Sequence, residues 1–327
     1  MLEVLNPLAV KNITDAPRMM IATEGLTKRY GDHAAVESLA LQVEEGDFFG
    51  LLGPNGAGKT TTIRMLAGLL PRTSGRISVN GFDPHAQPRQ VKRTVGVVCE
   101  SYGYYGWMNG EQYLSYFADL YGVAGKAQRV RELLAAVGLS SARAQQVSSY
   151  SRGMRQRLGI ARAIIHRPRV LILDEPTLGL DPEGQKGIYS LLLGLIGLGT
   201  TVLLSSHSLG EIERLVNRIA VLNRGKLVAQ GSIEQIRRKL RPGARVRIEV
   251  SDPARALQIA RREPQLGSAS LDGDRLVLSP SAEGQLDESP IVRKLVAEGI
   301  AIRELVRLEP SLEEMFLDLT RAEGIAA

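Results

Sequence analysis

The run Gly53-Pro54-Asn55-Gly56-Ala57-Gly58-Lys59-Thr60-Thr61 fits the pattern G-x-x-x-x-G-K-[ST] and directly follows the apolar stretch Phe48-Phe49-Gly50-Leu51-Leu52. This restricts the fold more than any other feature, because a buried strand must run into a tight glycine turn that opens a helix. Ile63, Leu66, Ala67 and Leu70 supply the core spacing of that helix. Glycines let backbone N–H groups turn inward around phosphate oxygens, and the helix start aims its positive dipole end at the same anion. The pattern therefore implies a bound nucleoside triphosphate, with Lys59 reaching the β- and γ-phosphates and the Thr60 hydroxyl ligating Mg2+. A second apolar run, Val170-Leu171-Ile172-Leu173, ends in Asp174-Glu175. Open parallel sheets bind ligands beyond the carboxyl ends of their strands, so Asp174 is expected to hold Mg2+, directly or through water. Glu175 is then free to serve as general base on an attacking water.

At 327 residues the chain exceeds the roughly 250–300 at which single cores stop growing, so one large domain and a smaller one are expected. Residues 1–20 read as a loose tail. Residues 21–242 alternate strands and helices, which implies an α/β phosphate-loop NTPase core with a mostly parallel sheet, an antiparallel β edge and a helical subdomain at about 110–165. The interval from Pro84 to Pro88 reads as a loop between strands. After Arg241-Pro242-Gly243 the pattern changes, and residues 243–327 read as a small α+β domain with a hairpin turning at Asp272-Gly273. Its last helix is expected over Leu312 to Leu319, opened by the capping box Ser311-x-x-Glu314.

Composition narrows the function classes. The net charge is +6, but Lys and Arg are mostly interleaved with acids, apart from Arg237-Arg238-Lys239 with Arg241 nearby. A nucleic-acid partner is therefore not expected. The single cysteine, Cys99, permits no internal disulfide. Residues 1–20 carry neither the pattern of a signal peptide nor that of an anchor, and a cytoplasmic chain is expected. From Gly187 to Gly210 there are 24 residues without Lys, Arg, Asp or Glu, long enough to suggest a membrane span. Gly197 and Gly199-Thr200 interrupt the stretch, however, and Thr201-Val202-Leu203-Leu204-Ser205 has the character of a buried strand, so helix, turn and strand are expected instead.

The ordered set Gly53 to Thr61, Tyr150-Ser151-Arg152-Gly153-Met154, Leu171 to Glu175, Leu178-Gly179-Leu180-Asp181 and His207 resembles the nucleotide-binding subunits of ATP-binding cassette transporters, over roughly residues 21–232. The resemblance implies an ATPase with ATP and Mg2+ as ligands, working as a head-to-tail dimer with a second copy and driving a separate integral membrane permease. It places the chain at the inner face of the cell membrane. It also implies that Tyr30 stacks on adenine, and that Ser151 and Gly153 contact the γ-phosphate of the partner's ATP. Asp181 would link the two sites, and His207 would hold the γ-phosphate and attacking water. The form of the signature and the C-terminal extension resemble export-type subunits. A cassette ATPase acting in nucleic-acid repair or translation is the alternative, without the tandem cassettes or zinc modules usual there.

Two departures stand out. The usual Leu-Ser-Gly-Gly-Gln signature appears as Tyr150-Ser151-Arg152-Gly153-Met154, which keeps the two anion contacts but places Arg152 where a glycine is usual. Glu100 stands where the family usually has Gln; a carboxylate keeps the metal-ligating oxygen and loses the amide donor, so Glu100 is expected to ligate Mg2+. Beside it, Tyr102, Tyr104, Tyr105 and Trp107 are four of fifteen aromatic residues in the chain (five Phe, nine Tyr, one Trp). Interleaved with glycines, they point to an irregular, partly exposed loop with interface character, and the resemblance implies that this loop docks the membrane subunit.

Overall fold

A computed structural model describes residues 18–99, 103–213, 215–240, 245–263, 267–279 and 286–308. Glu100, Tyr102 and the Ser311-x-x-Glu314 capping box lie outside the described residues, as does the stretch 1–17. The chain divides into two compact units, residues 1–233 and 234–327.

In the first unit β1 (Met19–Tyr30), β2 (His33–Leu39) and β3 (Gln42–Glu44) lead into β4 (Phe48–Leu52), α1 (Lys59–Leu66) and β5 (Ser74–Val79). β2, β3 and β5 all pair antiparallel with β1 and make the antiparallel layer. Next comes α2 (Pro88–Thr94), directly ahead of β6 (Val95–Val98). The loop expected from Pro84 to Pro88 thus ends in a helix start, since proline fits the first helical position, where its missing N–H has no partner to lose.

The helical subdomain comprises α3 (Gly110–Leu120), α4 (Lys126–Ala136) and α5 (Arg152–Ala163). α3 opens with a reciprocal capping box, the Gln112 N–H donating to Asn109 Oδ1 and the Asn109 N–H to Gln112 Oε1. Tyr113 and Leu114 of α3 and Val130, Leu133 and Leu134 of α4 are buried. Arg129, 3% exposed, donates to the carbonyls of Ile164 and Ile165, satisfying acceptors at the C-terminal end of α5 with a cation. Burial lowers its pKa to about 10, with the Arg167 charge adding to the effect. The side chain therefore stays charged at neutral pH.

His166 follows, stacked on Tyr121 with ring centroids 4.0 Å apart and planes 5° from parallel. Both ring nitrogens are buried without a hydrogen-bond partner. Burial pushes its pKa down to about 4; the Arg129 charge acts in the same direction, and the Val95 backbone opposes the shift without reaching hydrogen-bond geometry. Between the unfolded value of 6.5 and about 4 the unfolded chain takes up a proton that the folded chain refuses, so this contribution is complete above pH 6.5 and is lost as the pH falls toward 4. We expect His166→Phe, which keeps the stack, to remove about 2 kcal/mol of the stability lost between pH 7 and pH 5. Urea denaturation at both pH values checks this, and identical losses for parent and variant would exclude the role.

β7 (Val170–Leu173), α6 (Pro182–Ile196), β8 (Thr201–Ser206), the short α7 (Leu209–Ile212), β9 (Arg218–Asn223) and β10 (Lys226–Ser232) complete the unit. The sheet runs β10-β9-β4-β8-β7-β6, parallel throughout except at the β10/β9 edge. Every residue of β4, β7 and β8 is buried, as parallel strands covered on both faces require. The uncharged stretch divides into the end of α6, a turn and β8, and no helix among the described residues is long and apolar enough to cross a membrane.

The second unit begins within α8 (Ile233–Leu240) and holds β11 (Arg245–Val250), α9 (Pro253–Ala260), β12 (Ser268–Asp272), β13 (Arg275–Ser279), α10 (Ser289–Ala297) and β14 (Ile302–Leu308). Its antiparallel sheet has the order β12-β13-β11-β14, the split β-α-β arrangement of a β-α-β-β-α-β chain. Val246, Ile248, Leu276 and Leu278 from alternate strand positions pack with Ile259, Ile291 and Leu295 from the helices.

Candidate functional site

Strand order explains how residues far apart in sequence meet. β8 lies between β4 and β7, all three run parallel, and Leu52 is in register with Ser206 while Leu173 is in register with Leu204. Gly53, Asp174 and His207 therefore leave neighbouring strands at the same edge of the sheet, where strands stand about 4.8 Å apart.

The loop that leaves β4 needs its glycines. Gly58 has φ 98°, and a Cβ there would stand 2.5 Å from the Ala35 carbonyl oxygen in β2, so a side chain would push the loop off the β1–β2 hairpin. Gly58 caps α1 without a side-chain hydrogen bond, and the first turn of α1 contains no acid. Its first N–H groups are thus free of side-chain competitors, and the helix start favours an anion. Lys59, 6% exposed, donates to the carbonyl oxygens of Gly53 at 2.7 Å and Pro54 at 3.3 Å. Its ammonium also stands 3.4 Å from Glu175 Oε1.

Asp174 is 1% exposed. Its Oδ1 accepts from Ser205 Oγ at 2.7 Å and from Thr60 Oγ1 at 3.2 Å, whereas Oδ2 is buried with no hydrogen-bond partner. A buried carboxylate oxygen left unpaired is costly. An oxygen-seeking cation beside Thr60 would satisfy it, so the donor set fits Mg2+, which takes one or two protein oxygens and completes its shell with phosphate and water. Among the described residues no group of three or more His, Cys, Asp or Glu could hold a metal by itself. Half-buried Cys99 has its thiol pKa raised, first by burial and then by the Asp174 charge, and a thiol kept protonated is no nucleophile.

Glu175 has φ 46°, a left-handed backbone that costs a non-glycine residue about 1–2 kcal/mol. The Glu175 N–H donates to Ser205 Oγ at 2.9 Å, which helps hold the turn. That turn aims the carboxylate between two partners, Lys59 at Oε1 and His207 Nδ1 at 3.0 Å from Oε2. An ionised carboxylate only accepts, so Nδ1 carries the proton. The Glu175 side chain is 11% exposed while that of His207 is 44% exposed; the acid is sheltered and the imidazole faces outward.

The structure thus brings together Lys59, Thr60, Asp174, Glu175 and His207, and adds Ser205. In the sequence Ser205 reads only as part of a strand, yet its hydroxyl joins Asp174 to the Glu175 backbone. Ser-Ser-His at the end of an apolar strand was the available signal. Tyr30 lies at the turn of the β1–β2 hairpin, 51% exposed, with Lys28 Nζ 5.0 Å from its ring centroid. Ala35 of the same hairpin touches the phosphate loop at Gly58, so Tyr30 belongs to an element anchored on that loop.

Ser151, Gly153 and Asp181 form a separate set. Ser151 caps α5, its Oγ accepting from the Met154 N–H at 3.2 Å, and Asp181 caps α6, its Oδ1 accepting from the Gly184 N–H at 2.9 Å. All three line a cleft of about 560 Å3 whose described lining contains no residue of 53–61. The phosphate loop and the signature segment therefore present two distinct surfaces of one chain.

The aromatic residues make a third surface. Tyr104, Tyr105, Trp107 and Tyr116 are 38–71% exposed. Tyr105 joins them, its ring edge-on to Tyr116 at 5.6 Å and 6.2 Å from Trp107. Arg155 of α5 lies over Tyr104 at 5.3 Å.

The family model described as ABC transporter matches residues 36–178. The bacitracin transport ATP-binding protein BcrA of Bacillus licheniformis is 36% identical over 92% of this chain and 97% of its own length. The daunorubicin resistance ATP-binding protein DrrA3 of Streptomyces coeruleorubidus is 36% identical over 92% of this chain and 95% of its own. Among solved structures, the ATP-binding subunit of an ABC transporter superposes with a TM-score of 0.63 at 30% identity, covering 67% of this chain and 92% of that one. A dimeric ATP-binding cassette in a post-hydrolysis state with ADP and Pi superposes with a TM-score of 0.59 at 23% identity, over 65% of this chain and 99% of that one. This last likeness concerns the fold.

Proposed function

Because the chain belongs to the ATP-hydrolysing subunits of ABC transporters, we propose that it powers export of a cargo through a separate membrane permease, from the cytoplasmic face. The observation that carries the catalytic part is the sheltered Glu175 carboxylate, aimed by Lys59 and His207 at the end of β7. ATP is the substrate. Lys59 would turn from the Gly53 and Pro54 carbonyls to the β- and γ-phosphates, and Tyr30 would stack on the adenine. Asp174 and Thr60 would hold Mg2+, which when bound offsets phosphate charge. Glu175 would take a proton from the water whose oxygen attacks the γ-phosphorus, and His207 would keep the carboxylate and water in place. ADP then leaves with phosphate as the second product.

The second surface supports a head-to-tail dimer in which Ser151 and Gly153 reach the γ-phosphate on a second copy and Asp181 links the two sites. Two relatives with transport and resistance in their names support export over a nucleic-acid role. The Tyr104–Trp107 surface is suited to receive the permease, since exposed aromatic side chains anchor interfaces. We expect the tagged chain to co-purify with an integral membrane protein. The double variant Tyr104→Ala, Trp107→Ala should lose about 2–4 kcal/mol of that association and keep ATP affinity. Fractionation with ribosomes or DNA instead would overturn the transport assignment, and undiminished association of the double variant would overturn the docking surface.

A further inference from the structure

Arg152, the residue that departs from the usual signature, packs on Gly179 of the segment that leads to Asp181. Gly179 has φ 70°, and a Cβ built on it would fall within the Arg152 guanidinium, 2.7 Å from Cζ and 3.1 Å from Nη2. The flat face of the guanidinium therefore rests on the glycine Cα, at a left-handed backbone position that glycine adopts without strain and where a Cβ would displace the guanidinium. Arg152 directly follows Ser151, the cap of α5, and Gly179 stands two residues ahead of Asp181, the cap of α6. Arg152, Gly179, Ser151 and Asp181 share the walls of one cleft. Among the described residues the Arg152 side chain makes no hydrogen bond or ion pair, and its contact with Gly179 is the tie that the structure gives it.

We propose that Arg152 is a positioning residue that clamps the signature turn to the Gly179-Leu180-Asp181 segment of its own chain, so that Ser151 and Asp181 meet a second copy as one preset surface. This rests on the head-to-tail dimer proposed above. A guanidinium is rigid and planar, and it covers a bare backbone better than a flexible ammonium can. Fixing two contact elements before association removes part of the ordering cost of binding. The clamp therefore acts on formation of the ATP-bound dimer and spares the chemistry at Glu175, which lies in the other set of residues.

The test measures ATP- and Mg2+-driven self-association of the full chain in a Glu175→Gln background by sedimentation, with its co-purified membrane partner present where required. Arg152→Ala and Gly179→Ala should each weaken the dimer about tenfold, and the double variant should fall well short of the roughly hundredfold loss of two independent effects, because the steric part of the Gly179→Ala penalty disappears with the guanidinium and only the backbone strain at φ 70° is left. Arg152→Lys keeps the charge and loses the plane, so it should resemble Arg152→Ala. With Glu175 restored, Arg152→Ala should raise KM for ATP about tenfold and leave kcat within about twofold, with no change in melting temperature because the side chain is exposed. Penalties that add, or an Arg152→Lys chain that matches the parent, would overturn the clamp while the dimer stands. A parent that stays monomeric with ATP removes the dimer, and the clamp with it.

Discussion

Changing Glu175 to Gln is expected to slow ATP turnover by about 10^2–10^4-fold, the range for loss of a general base, while ATP affinity stays within a few-fold. The geometry explains why the two effects separate. Oε1 stands 3.4 Å from Lys59 Nζ and Oε2 stands 3.0 Å from His207 Nδ1. An amide of the same shape can keep its oxygen toward Lys59 and turn its NH2 toward His207, where a change of imidazole tautomer supplies an acceptor. The left-handed turn at Glu175, held by the bond from its N–H to Ser205 Oγ, does not involve the side chain and should survive. What disappears is the basic oxygen. Phosphate release and equilibrium binding of a fluorescent ATP analogue check the two halves separately. A variant that keeps more than a tenth of parental turnover would exclude Glu175 as the base. The same variant should trap ATP and populate the dimer, because closure then outlasts hydrolysis.

Much of this site could be read from the sequence because its residues sit at the ends of strands whose apolar character is plain. Phe48 to Leu52 and Val170 to Leu173 are continuous buried runs, so whatever follows them must emerge at the sheet edge, and Lys59, Asp174 and Glu175 do. Sequence could not supply the strand order. That β8 inserts between β4 and β7 follows from long-range pairing, so Ser205 looked like one more small residue in a core strand, although its hydroxyl fixes both acids. The contact of Arg152 with Gly179 joins two loops and leaves no periodic trace; the sequence showed a departure at position 152 and not its partner. α2 leaves little trace in the sequence for a local reason, since Pro88 punctuates a loop and also starts a helix, and the single buried residue of α2, Val91, gives no apolar stripe. In the second unit the alternation of Arg245 to Val250 and the Asp272-Gly273 turn were legible, whereas β14, with its mostly exposed pattern, offered little to find.

Asp174→Asn should have opposite effects on the folded chain and on its function. In the parent, Oδ1 takes both hydroxyl donors, Ser205 and Thr60, and the buried Oδ2 has none, so a carboxylate charge is shielded from water with half of its acceptor capacity unused. An asparagine can keep its carbonyl oxygen toward the two hydroxyls and put a neutral NH2 at the Oδ2 position. The NH2 is also unpaired, but leaving a neutral polar group unsatisfied costs less than leaving a charge, and the nucleotide-free variant should gain about 1 kcal/mol of stability. Mg2+ binding should suffer the reverse, because a hard cation loses an anionic oxygen and meets the amide in its place. Turnover should fall by about 10^2-fold or more, with the metal unable to offset charge on the phosphates. Thermal melts with and without ATP and Mg2+ check this independently of activity. Alone, the variant should melt above the parent, and the extra stabilisation that Mg2+ gives over ATP alone should vanish. A variant less stable than the parent without nucleotide would show that the carboxylate charge holds the site together by itself, and a retained Mg2+ increment would place the metal on other residues.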